Sequence, residues 1–230
     1  MNIEEYAKVA PQYYTDEVPP LLIFLLKNNI VSKLLDCGCG DGSLLYSLKK
    51  RKLLRGLDVI GIDLSPSRVS LIKKIDTKFT ANIDSAETLK TVRDNSIDIL
   101  VTTQVIEHVN DKKMTTSIHR VVKKCGIIYL STVFKKWYGW YFYRRDGRWL
   151  LDPTHLREYT SDSQLLNLFR KDFYLVVNKK SLQWFPIADF VLKRIGPLVR
   201  SRDNLFWKVI RSIRVPILGY YLWEIVLVKK

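Results

Sequence analysis

Short apolar runs alternate along the chain with segments of helical spacing. Lys33-Leu34-Leu35-Asp36-Cys37 is a compact apolar run that ends in glycines. From Ser43 to Lys52 the leucines at 44, 45 and 48 return on one helical face. The pattern predicts a strand, a tight turn and a helix. A second unit follows: Asp58-Val59-Ile60-Gly61-Ile62-Asp63 leads into Ser65-Pro66. There Ser65 suits a helix N-cap and Pro66 its first turn, with the helix running to Ile75.

A third strand is expected over Lys78 to Ile83, and Ile97 to Thr103 reads as a fourth, buried on both faces. Asn110 or Asp111 opens a helix leading to Cys125, Gly126 ends it, and Ile127 to Ser131 makes a fifth strand. Alternation through residue 133 calls for a parallel sheet with right-handed crossovers. Beyond it the pattern predicts a helix from Ser161 and a strand over Phe173 to Val177. One or two amphipathic helices are expected between Trp184 and Arg214, separated by Gly196-Pro197, and a final strand over Tyr220 to Val228. The fold class is α/β: a doubly wound, mostly parallel sheet with helices on both faces and insertions in the C-terminal half. A single domain spans 1–230, with an N-terminal helix or flap at 1–32 and a core at 33–133. Insertions are expected at 134–160 and 181–218, and the final strand at 219–230.

Composition narrows the partners. The 230 residues are 47% hydrophobic and 12% aromatic, far from the signature of disorder. Lys and Arg number 38 against 23 Asp and Glu, a formal charge of +15 that favours an anionic partner: nucleic acid, membrane surface or phosphorylated substrate. A solvated basic face that aids solubility accounts for the charge equally well. Cys37, Cys39 and Cys125 form neither a disulfide framework nor paired zinc knuckles, and read as reduced, small and buried. The first residues lack a signal peptide's basic start and apolar core. The apolar runs at Pro19 to Leu26 and Val215 to Val228 are too short or too interrupted to cross a bilayer of ~30 Å. A cytoplasmic protein is expected.

Gly38, Gly40 and Gly42 stand where a strand feeds a helix, and a turn without side chains lets a ligand approach the backbone at the sheet's carboxyl edge. A tight turn that holds nothing is the plain alternative. A dinucleotide fingerprint would need glycine at position 43, where Ser43 stands. Asp63, at the end of the second strand, is positioned to accept hydrogen bonds from ribose hydroxyls or to cap the following helix.

Leu35-Asp36-Cys37-Gly38-Cys39-Gly40-Asp41-Gly42 resembles the first motif of class I methyltransferases, a Rossmann-like family, and Gly61-Ile62-Asp63-Leu64 resembles the second. Ser85-Ala86-Glu87-Thr88-Leu89 with Asp94-Asn95-Ser96-Ile97-Asp98 is similar to the adenine-contacting stretch, and Gln104-Val105-Ile106-Glu107-His108-Val109 to the fourth-strand motif. The likeness covers residues 33 to 133, with a fainter echo in Asp152 to Tyr159, and is nearest the ubiquinone-pathway O-methyltransferase-like group. It implies S-adenosylmethionine as cofactor. It also implies that Asp36 and the turn Gly38, Cys39, Gly40 and Gly42 hold the methionine part. Asp63 would then take the ribose hydroxyls, Leu64 lie against the adenine, and Gln104 face the methionine end. The family's acidic residue beside the adenine amino group aligns with Ser85, so Asp84 stands in as a candidate with it.

Methyl transfer from a sulfonium is an in-line displacement with an activated leaving group, so the protein mainly supplies orientation and exclusion of water. A hydroxyl acceptor benefits from a base, and the candidates are His108, His119 and His155. His119 reads as a surface residue, His108 as a structural hydrogen-bonding group, and His155, near Glu158 and Tyr159, as the base. No spacing of histidines and carboxylates suggests a metal. The acceptor is expected between two segments rich in aromatics and cations, Phe134 to Tyr159 and Trp184 to Arg214. The second has an apolar helical face at Phe206, Val209, Ile210 and Ile213.

Three readings stay open. The first is methylation, at oxygen, of a small-molecule, glycan or lipid-linked acceptor, with peripheral contact to an anionic membrane. The second is an RNA methyltransferase, favoured by charge but without an N-P-P-Y-like motif after the fourth strand. The third is a non-catalytic Rossmann-like binding module.

Overall fold

The computed structural model describes residues 18–141, 143–145, 147–186 and 213–230. Nine strands and five helices are described. They are α1 (Pro20–Asn28), β1 (Lys33–Cys37), α2 (Ser43–Lys50), β2 (Asp58–Asp63), α3 (Pro66–Ile75), β3 (Thr80–Ile83), β4 (Ile97–Thr103) and α4 (Asp111–Val121). Then come β5 (Val122–Lys135), β6 (Tyr143–Arg145), β7 (Arg148–Leu150), α5 (Asp162–Phe169), β8 (Phe173–Pro186) and β9 (Arg214–Lys229).

Seven strands form one sheet in the order β3-β2-β1-β4-β5-β9-β8. The first five are parallel, β9 pairs antiparallel with β5, and β8 pairs antiparallel with β9. Alternate residues feed opposite faces. Leu34, Ile99, Val101 and Tyr129 pack with α1, α2 and α3 through Leu22, Leu25, Leu45, Leu48 and Ile72. Leu35, Leu100, Ile128, Leu130, Trp223 and Ile225 pack with α4 and α5 through Met114, Ile118, Leu165 and Phe169. This is the doubly wound arrangement that the sequence predicts. Ser65 caps α3, its Oγ accepting from the Arg68 N–H at 3.4 Å. Asn110 likewise caps α4 by accepting from the Lys113 N–H.

Several boundaries differ from the expectation. The helix expected to reach Cys125 ends at Val121, and the chain passes directly into β5. Lys229 replaces the glycine stop: its Nζ donates to the carbonyls of His119 and Val122 at 2.6 and 2.8 Å. Gly126 serves a bulge instead, where a Cβ would lie 2.8 Å from the Lys123 carbonyl oxygen. Cys125, in the same irregularity with φ 61°, is exposed and not buried as expected.

The strand expected to stop at Val177 continues to Pro186, and the last strand begins at Arg214 and not at Tyr220. The stretches 181–186 and 214–218, assigned to an insertion, are therefore paired sheet. The polar run Asn178-Lys179-Lys180-Ser181 hid this, because an edge strand carries polar side chains without loss. Asn178 accepts from the Trp223 indole at 2.6 Å, and Lys180 pairs with Asp162 at 2.7 Å. The amphipathic helices expected across the remainder, including Phe206, Val209 and Ile210 of the apolar face, lie outside the described residues, as does most of the N-terminal flap, while Ile213 of that face is exposed just before β9.

The segment after β5 folds over that strand's carboxyl end. Its β6–β7 hairpin is short, Phe134 bridges Tyr159, and the Lys136 N–H donates to the Gly219 carbonyl at 2.8 Å. A Cβ on Gly219 would meet Gly139 Cα at 2.4 Å, and the backbone there has φ 77°. Gly219→Ala should therefore cost about 1–3 kcal/mol or more, read as a lower urea midpoint, whereas Gly147→Ala meets no atom within 4 Å and carries only its φ strain. Equal loss in the two variants would count against the close approach.

Candidate active site

The glycine turn is fastened to its neighbour before it meets anything else. The N–H groups of Gly38 and Cys39 both donate to the Ile62 carbonyl, at 2.9 and 2.8 Å. The three glycines have positive φ, but their surroundings differ. A Cβ on Gly38 would meet Val105 Cγ2 at 2.4 Å, and one on Gly42 would meet Ile75 Cδ1 at 2.5 Å, so these two are required by packing. A Cβ on Gly40 would meet only Arg68 Nη1, at 3.8 Å, an ordinary contact with the end of a flexible side chain, so packing does not demand a glycine there. Cys39 turns its side chain into the core, where its Sγ would lie 3.1 Å from a Cβ on Gly61.

Asp63 joins the turn to the second strand. One carboxylate oxygen accepts from the Gly40 N–H at 3.0 Å and the other from the Ser65 N–H at 2.9 Å. Asp63 thus braces the turn and the residue before the helix, while the helix cap itself is Ser65. Leu64 follows, 43% exposed. Asp84 is nearly buried and fully engaged: Ser85 N–H, Thr91 N–H and the Thr91 hydroxyl donate to it at 2.7, 2.7 and 2.8 Å. Burial raises its pKa, but these donors outweigh it and hold the carboxyl below its usual range. Asp84 thus shapes the turn, and the Ser85 hydroxyl accepts from the Glu87 N–H at 3.1 Å.

At the boundary between β1 and β4 the strand order reverses, since β1 continues outward to β2 while β4 leads to β5. Ligands of open α/β sheets bind at such a switch point. Among the described residues, three buried side-chain oxygens lack a hydrogen-bond partner: Asp36 Oδ2, Thr102 Oγ1 and Glu107 Oε1. Asp36 lies near the end of β1, Thr102 near the end of β4, and Glu107 just beyond β4. Burial, with Asp63 adding repulsion, pushes Asp36 up to about 7. Gln104 follows β4 with φ 55°, a conformation that non-glycine residues rarely adopt, and its side chain is exposed.

A second polar cluster stands beside this boundary. The N–H groups of Leu156 and Arg157 donate to the Glu107 carbonyl at 2.8 and 3.3 Å, and the Arg157 guanidinium donates to the Ile106 carbonyl at 3.0 Å and to the Val109 carbonyl. These bonds hold residues 152–159 against the turn after β4. His155, 3% exposed, stands edge-on to His108 with ring centroids 4.7 Å apart. Its Nδ1 lies 3.0 Å from Glu158 Oε1, and His108 Nδ1 lies 3.0 Å from the Thr154 hydroxyl. Burial, then the neighbouring His155, lower the His108 pKa. Burial pushes Glu107 up to about 7, although its Oε2 accepts from the Thr132 hydroxyl at 2.9 Å. The sequence singled out His155 but not Glu107. The signal for Glu107 was its place in the same polar step as His108 after an apolar strand. His119 lies apart, half-exposed near Asp172.

Residues 35–130 match the methyltransferase domain family. A ubiquinone biosynthesis O-methyltransferase of Bartonella quintana is 25% identical over 166 residues, covering 68% of this chain and 66% of that protein. The chain thus spans just under two thirds of that relative's length. The YcgJ protein of Bacillus subtilis superposes with TM-score 0.61 at 16% identity, over 91% of this chain and 96% of its own. A geranyl diphosphate methyltransferase, solved with geranyl diphosphate and sinefungin, superposes with TM-score 0.56 at 13% identity, over 89% of this chain and 76% of its own. No helix among the described residues is long and apolar enough to cross a membrane. Residues 35–130 are a methyltransferase domain, and the described residues take the Rossmann-like methyltransferase fold of these solved neighbours.

Proposed function

We propose that the chain is an S-adenosylmethionine-dependent methyltransferase that acts on a hydroxyl oxygen of a small-molecule, glycan or lipid-linked acceptor, with the cofactor in the β1–β4 switch point and the acceptor under the segment 134–160. The observation that carries the reading is the group of orphaned buried oxygens on both sides of that boundary, beside a glycine that packing alone does not demand. Buried polar atoms without partners are costly, by about 1–3 kcal/mol each, and are explained when a ligand supplies the missing bond.

In this reading Asp36 and the backbone of Gly38, Cys39, Gly40 and Gly42 receive the amino acid end of the cofactor, which fits an acceptor oxygen at Asp36 and a Gly40 that packing does not demand. Cys39 contributes its backbone alone, since its side chain is in the core. Asp63 has one oxygen on Gly40 and one on Ser65, and each keeps a lone pair for a ribose hydroxyl. Leu64 offers an exposed apolar surface to the adenine. Ser85, in the turn that Asp84 stabilises, borders its edge, and Gln104 faces the methionine end. The bound cofactor supplies a methyl group already activated on a sulfonium. What remains for the chain is to align the acceptor and take its proton.

His155 suits that last task. With Glu158 accepting from Nδ1–H, the imidazole presents Nε2 as a lone pair, and the carboxylate stabilises the imidazolium that forms. Glu158 is itself held by the Leu151 N–H at 2.5 Å and the Tyr220 hydroxyl at 3.3 Å. Aromatic groups at Trp137, Tyr138 and Trp140 stand exposed on the same segment and give an amphipathic acceptor a surface to rest on.

Calorimetric titration with S-adenosylhomocysteine tests the cofactor reading. Asp63→Ala should weaken it by about 1–3 kcal/mol and Gly40→Val should abolish it. Retained affinity in both folded variants would sink the assignment. Asp36→Asn tests the buried carboxyl without ligand. A group at about 7 in the fold and 3.8 when exposed binds more protons folded, so wild-type stability falls as pH rises between those values. The variant lacks this loss, so its stability relative to wild type should climb from pH 4 to 7 and then level off in urea titrations. A flat difference would contradict the burial of the charge. For the base, His155→Gln should lower turnover by about 10²-fold or more and remove the ascending limb of the pH–rate profile while S-adenosylhomocysteine affinity is kept. A variant with wild-type rate and limb would exclude the role.

A further inference from the structure

The β6–β7 hairpin sets two arginines directly across from each other, Arg145 opposite Arg148, beside a turn whose Gly147 has φ 75°. We propose that this pair is a clamp for a dianionic phosphate group carried by the acceptor, so that the substrate is a phosphorylated molecule whose hydroxyl is presented to His155. The inference rests on the acceptor reading above and names its substrate class.

Directly opposed residues of an antiparallel pair share one face, with Cβ atoms about 4.5–5.5 Å apart, and like charges set there destabilise the pairing. Strands of three residues each have little pairing energy to absorb that cost. Neither arginine has a carboxylate to offset it: among the described residues no ion pair involves Arg145 or Arg148, whereas Arg120 is paired with Asp94 and Arg157 with Asp111. The hairpin therefore carries an uncompensated double charge at a fixed place.

Alternation along the strands puts Tyr143 and Arg145 on the same face as Arg148 and Leu150. Leu150 is buried, so this face turns toward the body of the protein. Arg145 follows it: its guanidinium donates to the carbonyl of His155 and, at 3.5 Å, to the carbonyl of Pro153. The opposite face holds Arg144, whose guanidinium lies over the Trp149 ring at 5.1 Å from the centroid. Arg145 and Arg148 are both exposed, and after the two carbonyls Arg145 still has N–H donors to give. Two guanidinium forks on one face suit a tetrahedral dianion, each giving paired N–H···O bonds, and two charges balance two. A lone carboxylate would leave one positive charge unanswered.

The place of the pair gives it a role in the reaction. Arg145 is bonded to the backbone of His155, whose Nδ1 is backed by Glu158. A phosphate held there would orient the acceptor hydroxyl and steady the segment that carries the base in one step. The carboxylates at the ends of β1 and β2 repel the same group, so the charged end of the acceptor is kept on the hairpin side and away from the cofactor.

The test is a titration of inorganic pyrophosphate into the tag-free full chain, with and without S-adenosylhomocysteine, read by calorimetry and by the backbone amide signals of Gly147, His155 and Leu156. Wild type should bind one equivalent and shift these signals. Arg148→Gln, whose parent side chain makes no hydrogen bond to residues 152–155, should weaken binding by about 10-fold or more, and Arg145→Gln should do the same. Lys124→Gln removes an equal charge near the far end of β5 and should stay within about two-fold of wild type. S-adenosylhomocysteine affinity within about two-fold in every variant shows that they are folded. Equal losses in Lys124→Gln and Arg148→Gln, or binding that leaves the amide signals in place, would overturn the clamp and leave general charge attraction as the account. Vesicles of phosphatidylcholine containing phosphatidic acid form a second arm. Arg148-dependent retention on them puts the phosphate on a lipid acceptor, pyrophosphate binding without retention puts it on a soluble one, and both uphold the clamp. Pyrophosphate binding at the hairpin of a chain that does not take S-adenosylhomocysteine would uphold the clamp and sink the cofactor assignment, while the reverse result would sink the clamp alone.

Discussion

The reversal of strand order between β1 and β4 governs the rest of the structure. From β1 the chain moves out to β2 and β3, then returns to lay β4 on the other side of β1. The helices that follow the two strands pack on opposite faces, α2 on one and α4 on the other. The connections therefore diverge, and the carboxyl ends of β1 and β4 are left without the backbone cover that the other strand ends receive. Polar groups placed there find no partner in the chain itself. Asp36 and Glu107 keep an unpaired oxygen each, and in both burial raises the pKa to about 7. Apart from Thr102 Oγ1 on β4, the other buried side-chain oxygens and nitrogens among the described residues have partners, even those of the deeply placed Glu224, which accepts from the Tyr129 hydroxyl at 2.8 Å.

The parallel half of the sheet was legible because its central strands β1 and β4 are buried on both faces and each announces itself as an apolar run ending in a turn residue. The bounds of β1, β2 and β4 coincide with those runs. Legibility failed where tertiary contacts replace a local signal. Nothing near Val121 marks the end of α4, because the group that caps it, Lys229, arrives from the other end of the chain. β8 likewise continues through Lys179 and Lys180, whose charges are answered by Glu224 and Asp162 across space. A polar run is a valid loop signal only where no partner strand and no counter-charge await it.

The cofactor side and the acceptor side of the site differed in the same way. Asp36, the glycine turn and Asp63 belong to consecutive strand–turn–helix units, so their spacing carries their relation. Even so, the sequence could not divide the glycines by role: the structure makes Gly38 and Gly42 packing residues and leaves Gly40 with only the end of the Arg68 side chain nearby. The relation of His155 to His108 and Glu107 has no spacing signature, since it depends on one loop accepting the carbonyl of another.

The charges also separate by depth. The chain carries +15 overall, yet the groups around the switch point are acidic: Asp36, Asp63, Asp84 and Glu107 lie on or beside the carboxyl ends of β1 to β4. An inner acidic site favours a cationic ligand, and in a low-dielectric pocket that preference outweighs the distant, solvent-screened lysines and arginines. The proposed cofactor has its positive sulfonium only before transfer. Once the methyl group leaves, the sulfur is neutral, and the attraction that Asp36 and its neighbours exert is reduced. In the proposed placement the same carboxylates would therefore hold the product less tightly than the loaded cofactor.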